Sequence, residues 1–228
     1  MAKIMKIIGI NSSPRGKESR TRTLVEAVLE GAGEAGAETE FIDLCDLRIE
    51  YCTACGTCYI SGDCIHDDDF AWIFEKMLEP DGILLGSPVY LYGVTAQLKT
   101  LLDRMADAIH CQMFEGKYGC AVSTAGGAGE DEVVAYMNRT LNMLGAVAIG
   151  GVGVAIGADI EALVPAEANA KRLGHDLASA IRERRSYPEQ EGNLKELREH
   201  FRNLVTWNKD LWRHEYDYWV EKGRIERE

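Results

Sequence analysis

The chain has 228 residues, a formal net charge of −12 and 46% hydrophobic residues. This length is enough for one α/β domain with an extension, but it is short for two independent cores. The acidic balance argues against a protein that wraps nucleic acid or lies on an anionic membrane surface. An anionic ligand therefore has to be held by local donors.

The amino-terminal segment 1–8 is typical of a strand rather than of a targeting sequence. It has no hydrophobic run of signal-peptide length and no small-residue cleavage site. The longest apolar stretches are also far shorter than the about 20 residues of a membrane span. We therefore expect a cytoplasmic protein that binds neither membrane nor nucleic acid, and in that compartment cysteines serve as thiols or metal ligands more often than as disulfides.

Apolar runs bounded by glycine, proline or acidic residues alternate along the chain with stretches of helical period. In chain order we predict a strand over 3–10, a helix over 21–32, a strand over 38–44, a helix over 68–78, a strand over 82–86, a helix over 96–108, a strand over 118–123, a helix over 132–144, a strand over 147–154 and a helix over 166–185. Five β-then-α units with nearly continuous apolar strands predict a doubly wound five-stranded parallel sheet covered on both faces. In such sheets ligands bind beyond the carboxyl ends of the strands.

We assign residues 1–187 to this α/β domain, with a cysteine-rich insertion at 50–66, and residues 188–228 to a helical C-terminal extension. Three of the four tryptophans lie in the extension, at Trp207, Trp212 and Trp219. Its helical spacing of apolar residues fits either a helix packed on its own domain or an arm that clasps another subunit. We predict the arm, because the five units already complete a domain and a wide aromatic stripe needs a surface to cover.

The loop over 11–21, between the first strand and the first helix, is rich in hydroxyl and basic side chains. It leads into a helix N-terminus, whose free N–H groups and dipole favour an anion. It is neither a Walker loop nor a Gly-x-Gly-x-x-Gly turn, so it suits a terminal phosphate monoester better than a nucleoside triphosphate or a Rossmann dinucleotide. The alternative is an ordinary serine-capped helix.

Two further loops follow the third and fourth strands and belong to the same edge of the sheet. Residues 87–94 carry Tyr90 and Tyr92, against which a planar ring system can stack. Residues 123–129 carry three glycines, which let backbone N–H groups approach the polar edge of a ring. Each loop by itself fits a solvent loop, but the three together describe a flavin mononucleotide (FMN) site.

Four cysteines fall within thirteen residues with the spacing C-x₂-C-x₂-C-x₅-C, at Cys52, Cys55, Cys58 and Cys64. This spacing favours an iron–sulfur cluster, which needs four converging thiolates. Zinc, a redox dithiol and four unligated thiols are the alternatives. The other cysteines lack such spacing and are interpreted as small buried hydrophobic residues: Cys45, Cys111 and Cys120. For His66 and the acidic run 67–69 we expect helix capping.

The motifs Ser-Ser-Pro-Arg at 12–15, Cys-Thr-Ala-Cys-Gly-Thr-Cys at 52–58 and Ser-Pro-Val-Tyr at 87–90 make the sequence recognisable. Over about residues 3–185 the chain resembles the iron–sulfur flavoproteins of anaerobic archaea and bacteria, which belong to the NADPH-dependent FMN reductase family of flavodoxin-like proteins. The long tryptophan-rich extension departs from the short members of that group.

The resemblance implies FMN as prosthetic group, a 4Fe-4S cluster on the four cysteines, and a homodimer or homotetramer that brings the cluster and flavin of neighbouring subunits together. It implies phosphate contacts at Ser12, Ser13, Arg15, Ser19 and Thr21. It implies contacts to the flavin ring at Pro88, Val89, Tyr90, Tyr92, Gly93, Ser123, Thr124, Ala125, Gly126 and Gly127.

The expected function is that of an oxidoreductase or electron carrier, in which the cluster relays electrons to or from FMN. The expected donors and acceptors are NAD(P)H, a ferredoxin-like carrier or a small molecule. No side chain stands out as a general acid or base, so we name no catalytic residue. One alternative is a cluster-free NAD(P)H-dependent FMN or quinone reductase, and another is a non-enzymatic interaction scaffold stapled by zinc.

Overall fold

A computed structural model describes residues 4–157 and 159–227. In that part of the chain, five parallel strands form one sheet in the order β2-β1-β3-β4-β5. The strands are β1 (Lys6–Asn11), β2 (Glu38–Asp43), β3 (Gly82–Pro88), β4 (Tyr118–Ala125) and β5 (Val147–Ala155). The winding direction reverses between β1 and β3, so the predicted doubly wound five-stranded parallel sheet is confirmed.

Helices cover both faces of the sheet. In the described residues they are α1 (Arg20–Glu34), α2 (Thr57–Ser61), α3 (Phe70–Leu78), α4 (Ala96–Asp103), α5 (Ala106–His110), α6 (Glu130–Met143), α7 (Leu163–Glu183), α8 (Pro188–Trp207) and α9 (Arg213–Glu221). One hydrophobic core lies between the sheet and α1 with α7, and a second lies between the sheet and α3 to α6. No helix of the described ranges is long and apolar enough to span a membrane.

Helices α1 and α7 touch at the level of their backbones. A Cβ atom added at Gly31 would lie 2.0 Å from the Lys171 carbonyl oxygen, and one added at Gly174 would lie 1.9 Å from the Val28 carbonyl oxygen. Both distances are far below van der Waals contact, so only glycine fits at these two positions. The two helices thus cover one face of the sheet as one closely joined layer.

The helix predicted over 96–108 is interrupted. The amide groups of Arg104 and Met105 donate to the carbonyl groups three residues earlier, at Leu101 and Leu102, which ends α4 before α5 begins. The helix predicted to begin at Asp68 begins instead at Phe70, although the Asp68 carboxylate accepts the Phe70 amide at 3.1 Å. The capping role expected for the acidic run is therefore confirmed for Asp68 and wrong for Asp69, which occupies the N-cap position but makes no side-chain cap hydrogen bond.

The C-terminal helices α8 and α9 pack on their own chain. Phe201, Val205, Tyr216 and Trp219 form a third core together with Cys111 of the α/β part. The indole N–H of Trp219 donates to the His110 carbonyl oxygen at 3.1 Å. The prediction of an arm that clasps another subunit is therefore wrong for these four residues, because their side chains are covered by their own chain. The boundary between 187 and 188 stays a prediction.

Replacement of Trp219 by alanine tests this packing. Trp219 is fully buried, so we expect Trp219→Ala to lower the free energy of unfolding by about 3–5 kcal/mol. Trp207 is 89% exposed, and Trp207→Ala should change it by less than about 0.5 kcal/mol. Urea denaturation measures both values. Equal effects of the two substitutions would contradict the intramolecular packing of the extension.

Candidate functional site

A cleft of about 300 Å³ opens at the carboxyl edge of the sheet. It is bordered by the loops that follow β1, β3 and β4 and by Ile156, the first residue after β5. Its lining residues are Ser13, Arg15, Ser19, Arg20, Thr21, Pro88, Val89, Tyr90, Thr124, Ala125, Gly126 and Ile156. The three loops singled out in the sequence thus meet at one site, and ten of the fifteen predicted FMN contacts lie in its wall.

The N-terminus of α1 forms one end of the cleft. The Ser19 hydroxyl caps the helix by accepting the Arg22 amide at 3.0 Å. The first N–H groups of a helix have no intrahelical acceptor, which leaves the amides of Arg20 and Thr21 for a ligand. Arg15 and Arg20 form no ion pair with any residue that the structure describes. This end of the cleft therefore combines free backbone donors, two free guanidinium groups and the positive end of a helix dipole.

Arg22, in the same helix, differs from Arg15 and Arg20 because its guanidinium group is bound by other residues of the protein. Its guanidinium bonds Glu26 at 2.7 Å, lies 3.7 Å from Asp43 and covers the ring of Phe41. It supports the join between α1 and β2 and does not line the cleft. The basic cluster predicted from the sequence thus divides into ligand-facing and structural members.

Hydroxyl groups connect the loops beneath the cleft. The hydroxyls of Thr21 and Thr124 lie 2.7 Å apart and join the loop after β1 to the loop after β4. The Ser12 hydroxyl donates to the Gly86 carbonyl at 2.8 Å, and the Thr95 hydroxyl donates to the Ser12 carbonyl at 2.9 Å. Ser12 is completely buried and fixes the loop from below, so it supports the cleft without lining it.

The aromatic loop after β3 is a tight turn. The amide and carbonyl groups of Tyr90 and Gly93 exchange hydrogen bonds of 2.9 and 3.0 Å. Leu91 and Tyr92 between them adopt left-handed φ angles of 49° and 59°, which cost about 1–3 kcal/mol each in residues other than glycine. Leu91 is 98% exposed. The surrounding structure therefore holds a strained and exposed apolar tip beside the cleft.

Four other predicted ring contacts lie outside the cleft wall. Tyr92 and Gly93 line a neighbouring cavity of about 380 Å³ on the other side of the turn. The Ser123 hydroxyl is buried in β4 and has no hydrogen-bond partner among the described residues, and Gly127 is exposed. Ile156, which follows β5, was not predicted as a site residue. The available signal was its position directly after a parallel strand, because ligands bind beyond the carboxyl ends of such strands.

The cysteine-rich loop is closed at its base by backbone and carboxylate contacts. The Arg48 amide donates to the Asp69 carboxylate at 2.7 Å, and the Asp69 amide donates back to the Arg48 carbonyl at 3.0 Å. The Glu50 amide donates to the Asp68 carboxylate at 2.8 Å. These bonds hold the start and the end of the loop side by side, with all four motif cysteines between them.

The motif cysteines differ in their surroundings. Cys52 and Cys55 are exposed, whereas Cys58 and Cys64 are half-buried. The Thr57 hydroxyl donates to the Cys55 sulfur at 3.4 Å and lowers the pKa of that thiol. Burial, aided by the negative charges of Asp107 and Glu215, raises the pKa of the Cys58 thiol to about 12.

Four thiols on one closed loop match the donor set of an iron–sulfur cluster or a zinc ion. Gly56 and Gly62 adopt left-handed φ angles of 73° and 84° on either side of α2, which lets the chain curl between the cysteines. Within residues 4–157 and 159–227, however, no three His, Cys, Asp or Glu side chains are gathered closely enough to hold a metal ion. The loop thus fits a cluster by its chemistry, and its sulfurs must draw together to bind one.

Helix α9 of the C-terminal extension supports this loop. The Trp212 ring lies 4.9 Å from the Tyr59 ring, and the His214 ring occupies the space where a Cβ of residue 62 would be, at 2.6 Å. The Asp107 carboxylate raises the pKa of His214, and burial raises the pKa of Glu215. The extension therefore packs a set of polar and aromatic side chains against α2.

The cysteines outside the motif also differ from one another. Cys111 and Cys120 are completely buried, as predicted. Cys45 is exposed, so its predicted burial is wrong. Its thiol donates to the Ser13 carbonyl at 2.8 Å, because Cys45 lies in the turn after β2, next to the loop after β1.

Comparison with known proteins agrees with these features. The profile of the NADPH-dependent FMN reductase family matches residues 5–161. An iron-sulfur flavoprotein of Archaeoglobus fulgidus is 35% identical over 97% of this chain and 100% of its own length. An iron-sulfur flavoprotein of Methanosarcina thermophila is 35% identical over 64% of this chain and 78% of its own.

Solved structures share the fold at lower identity. A flavone reductase superimposes with a TM-score of 0.62 at 24% identity, over 78% of this chain and 63% of its own. An NAD(P)H:quinone oxidoreductase of Methanothermobacter marburgensis gives a TM-score of 0.58 at 20% identity, over 77% of this chain and 98% of its own. The sequence match, the sheet topology and the cleft lead to one assignment: the chain is an oxidoreductase that belongs to the NADPH-dependent FMN reductase family of flavodoxin-like proteins.

Proposed function

We propose that this FMN-dependent oxidoreductase carries a 4Fe-4S cluster on Cys52, Cys55, Cys58 and Cys64, and that the cluster passes electrons to or from the flavin. The observation that carries the proposal is the cleft in which three separate loops meet, on a chain whose cysteine loop is closed at its base. Relatives named iron-sulfur flavoproteins support the cluster.

The cleft suits FMN from end to end. Its volume of about 300 Å³ lies at the lower limit of typical ligand pockets, as expected for a site that is open on one side. The free amides at the start of α1 and the side chains of Arg15 and Arg20 bind the phosphate. Tyr90 and the backbone of residues 125–126 hold the isoalloxazine ring. Bound FMN supplies both hydride and single-electron chemistry.

The predicted contacts outside the cleft wall support the lining residues. Ser12 holds the loop after β1 against β3, Ser123 is buried in β4, and Tyr92, Gly93 and Gly127 shape the rims of the two loops. NAD(P)H or a ferredoxin-like carrier serves as donor, and a small molecule or a protein carrier serves as acceptor. We also propose a homodimer or homotetramer, since Leu91 and Tyr92 expose apolar surface that a second copy would cover.

A cluster-free NAD(P)H-dependent FMN or quinone reductase is the second candidate. The separation of the sulfurs in the described structure favours it, because thiols that never gather would leave the flavin as the only redox group. Membership of a reductase family argues against the non-enzymatic zinc scaffold.

Metal and flavin analysis of protein purified without oxygen tests the proposal. We expect about four irons and about four inorganic sulfides per chain, together with bound FMN. Cys58→Ser should lose the iron and keep the FMN, because Cys58 does not line the cleft. Cys45→Ser, which removes a thiol outside the motif, should keep the iron. Wild-type protein with FMN but without iron would instead support the cluster-free reductase.

The phosphate end of the cleft is tested by Arg20→Gln. A hydrogen bond to a charged group contributes about 1.5–3 kcal/mol, so the Kd for FMN should rise about 10- to 100-fold. The affinity for riboflavin, which has no phosphate, should stay unchanged. Lys17→Gln is the control, since Lys17 lies in the same loop but outside the cleft wall. Fluorescence titration of apoprotein measures each Kd, and equal losses for FMN and riboflavin would contradict the phosphate assignment.

A further inference from the structure

Arg104 is a buried cation whose hydrogen-bonding capacity is only partly used. Its side chain is 1% exposed, and its Nη1 group donates to the Glu50 carbonyl at 3.1 Å and pairs with the Asp68 carboxylate. Its Nε and Nη2 groups are buried and have no hydrogen-bond partner among the described residues. A buried donor without an acceptor costs about 1–3 kcal/mol, so these two groups call for an acceptor that binding would supply.

The sulfur of Cys64 lies close enough to Arg104 to act on its guanidinium group. Burial opposes the charge of Arg104, but the Asp68 carboxylate and the Cys64 sulfur outweigh it and raise the pKa of the guanidinium. No hydrogen bond joins Arg104 to this sulfur among the described residues, so Nε and Nη2 stay unpaired. The Phe70 ring covers the face of the guanidinium at 4.3 Å, so only its edge is available to bind.

The fold fixes Arg104 in this position. Arg104 lies at the interruption between α4 and α5, where the chain tightens and the side chain enters the base of the cysteine loop. There it bonds the residue two positions before Cys52 and the residue four positions after Cys64. A single buried cation thus contacts both ends of the loop and lies near one of its cysteines.

We propose that Arg104 is a positioning residue for the cluster. Its guanidinium group donates hydrogen bonds to the Cys64 sulfur and places a fixed positive charge beside that sulfur. The inference rests on the proposed function, because it needs the cluster on the four cysteines. One-electron reduction makes a cluster more negative, and a nearby cation with hydrogen bonds to sulfur stabilises that reduced form. Arg104 therefore raises the reduction potential of the cluster.

A purely structural role would be to close the base of the loop. Arg48 performs that role on the outer side, where its side chain donates to the Asp67 carbonyl and its amide donates to the Asp69 carboxylate. Arg48 is exposed and has no contact with a motif sulfur among the contacts described. Arg48→Gln therefore removes the same charge from the same loop base and serves as the matched control for Arg104→Gln.

The experiment measures the midpoint potential of the cluster by titration monitored with electron paramagnetic resonance, and that of FMN as an internal reference. We expect Arg104→Gln to reduce the equilibrium constant for cluster reduction about tenfold, which is a potential about 59 mV more negative. Arg48→Gln should change this constant less than about threefold. In both variants, the shift of the FMN potential should be smaller than the shift of the cluster potential in Arg104→Gln.

Arg104→Lys separates charge from geometry. It keeps the positive charge, so the potential should stay near that of the wild type. Lysine is a point donor without the planar fork of arginine, so the cluster should be lost to a chelator several-fold faster than in Arg48→Lys.

Iron analysis of the wild type distinguishes failure of the proposed function from failure of the inference on Arg104. Wild-type protein without a cluster overturns the proposed function, and the inference with it. A wild-type cluster whose potential falls equally in Arg104→Gln and Arg48→Gln overturns the role of Arg104 alone. If Arg104→Gln fails to fold or to retain FMN, Arg104→Lys decides, and a rate of cluster loss equal to that of Arg48→Lys overturns the inference.

Discussion

Parallel strand pairing is the constraint on which the cleft depends, because it makes every strand end at the same edge of the sheet. Asn11 of β1 pairs with Gly86 of β3, and Ser87 pairs with Ser123 of β4. The loops after these strands therefore leave the sheet at one level and meet above it. A shift of one register position would separate the start of α1 from the glycine loop and would break the contact between Thr21 and Thr124.

The distribution of charge explains how an acidic protein can bind an anion. At the opposite edge of the sheet, a cavity of about 290 Å³ is lined by Glu38, Glu40 and Glu79, which neighbour Lys6 and Lys76. There acids and bases compensate one another in ion pairs. At the carboxyl edge, Arg15 and Arg20 carry charge that no described ion pair compensates. A net charge of −12 thus coexists with a local anion site.

Sequence patterns predict those structural features that depend on residues close to one another in the sequence. The five strands and the three loops of the cleft, including the one at the start of α1, were predicted, since strand order and loop composition determine them. The break at Arg104 was not, because Leu98, Leu101 and Met105 continue the apolar stripe of a helix through it. The surface that Trp219 covers was missed as well, since an amphipathic pattern shows that a face is buried without showing against what.

The exposure of Cys45 and the role of the acidic run 67–69 show the same limit. Both are determined by segments distant in sequence: the loop after β1 for Cys45, and residues 48–50 for the carboxylates of Asp68 and Asp69. Spacing within the motif predicts which chemistry four cysteines can provide. It carries no information on the buried cation that long-range folding brings beside one of them.

The close backbone contact of α1 with α7, at Gly31 and Gly174, has a consequence for ligand affinity. Helix α1 begins at the cleft and ends near Gly31, so the angle at which its dipole is aimed is set where α1 touches α7, at the far end from the ligand. Small changes at that distant contact would tilt the helix and alter binding without any change in the site. Selection for tighter or weaker flavin binding can therefore act on residues that never meet the flavin.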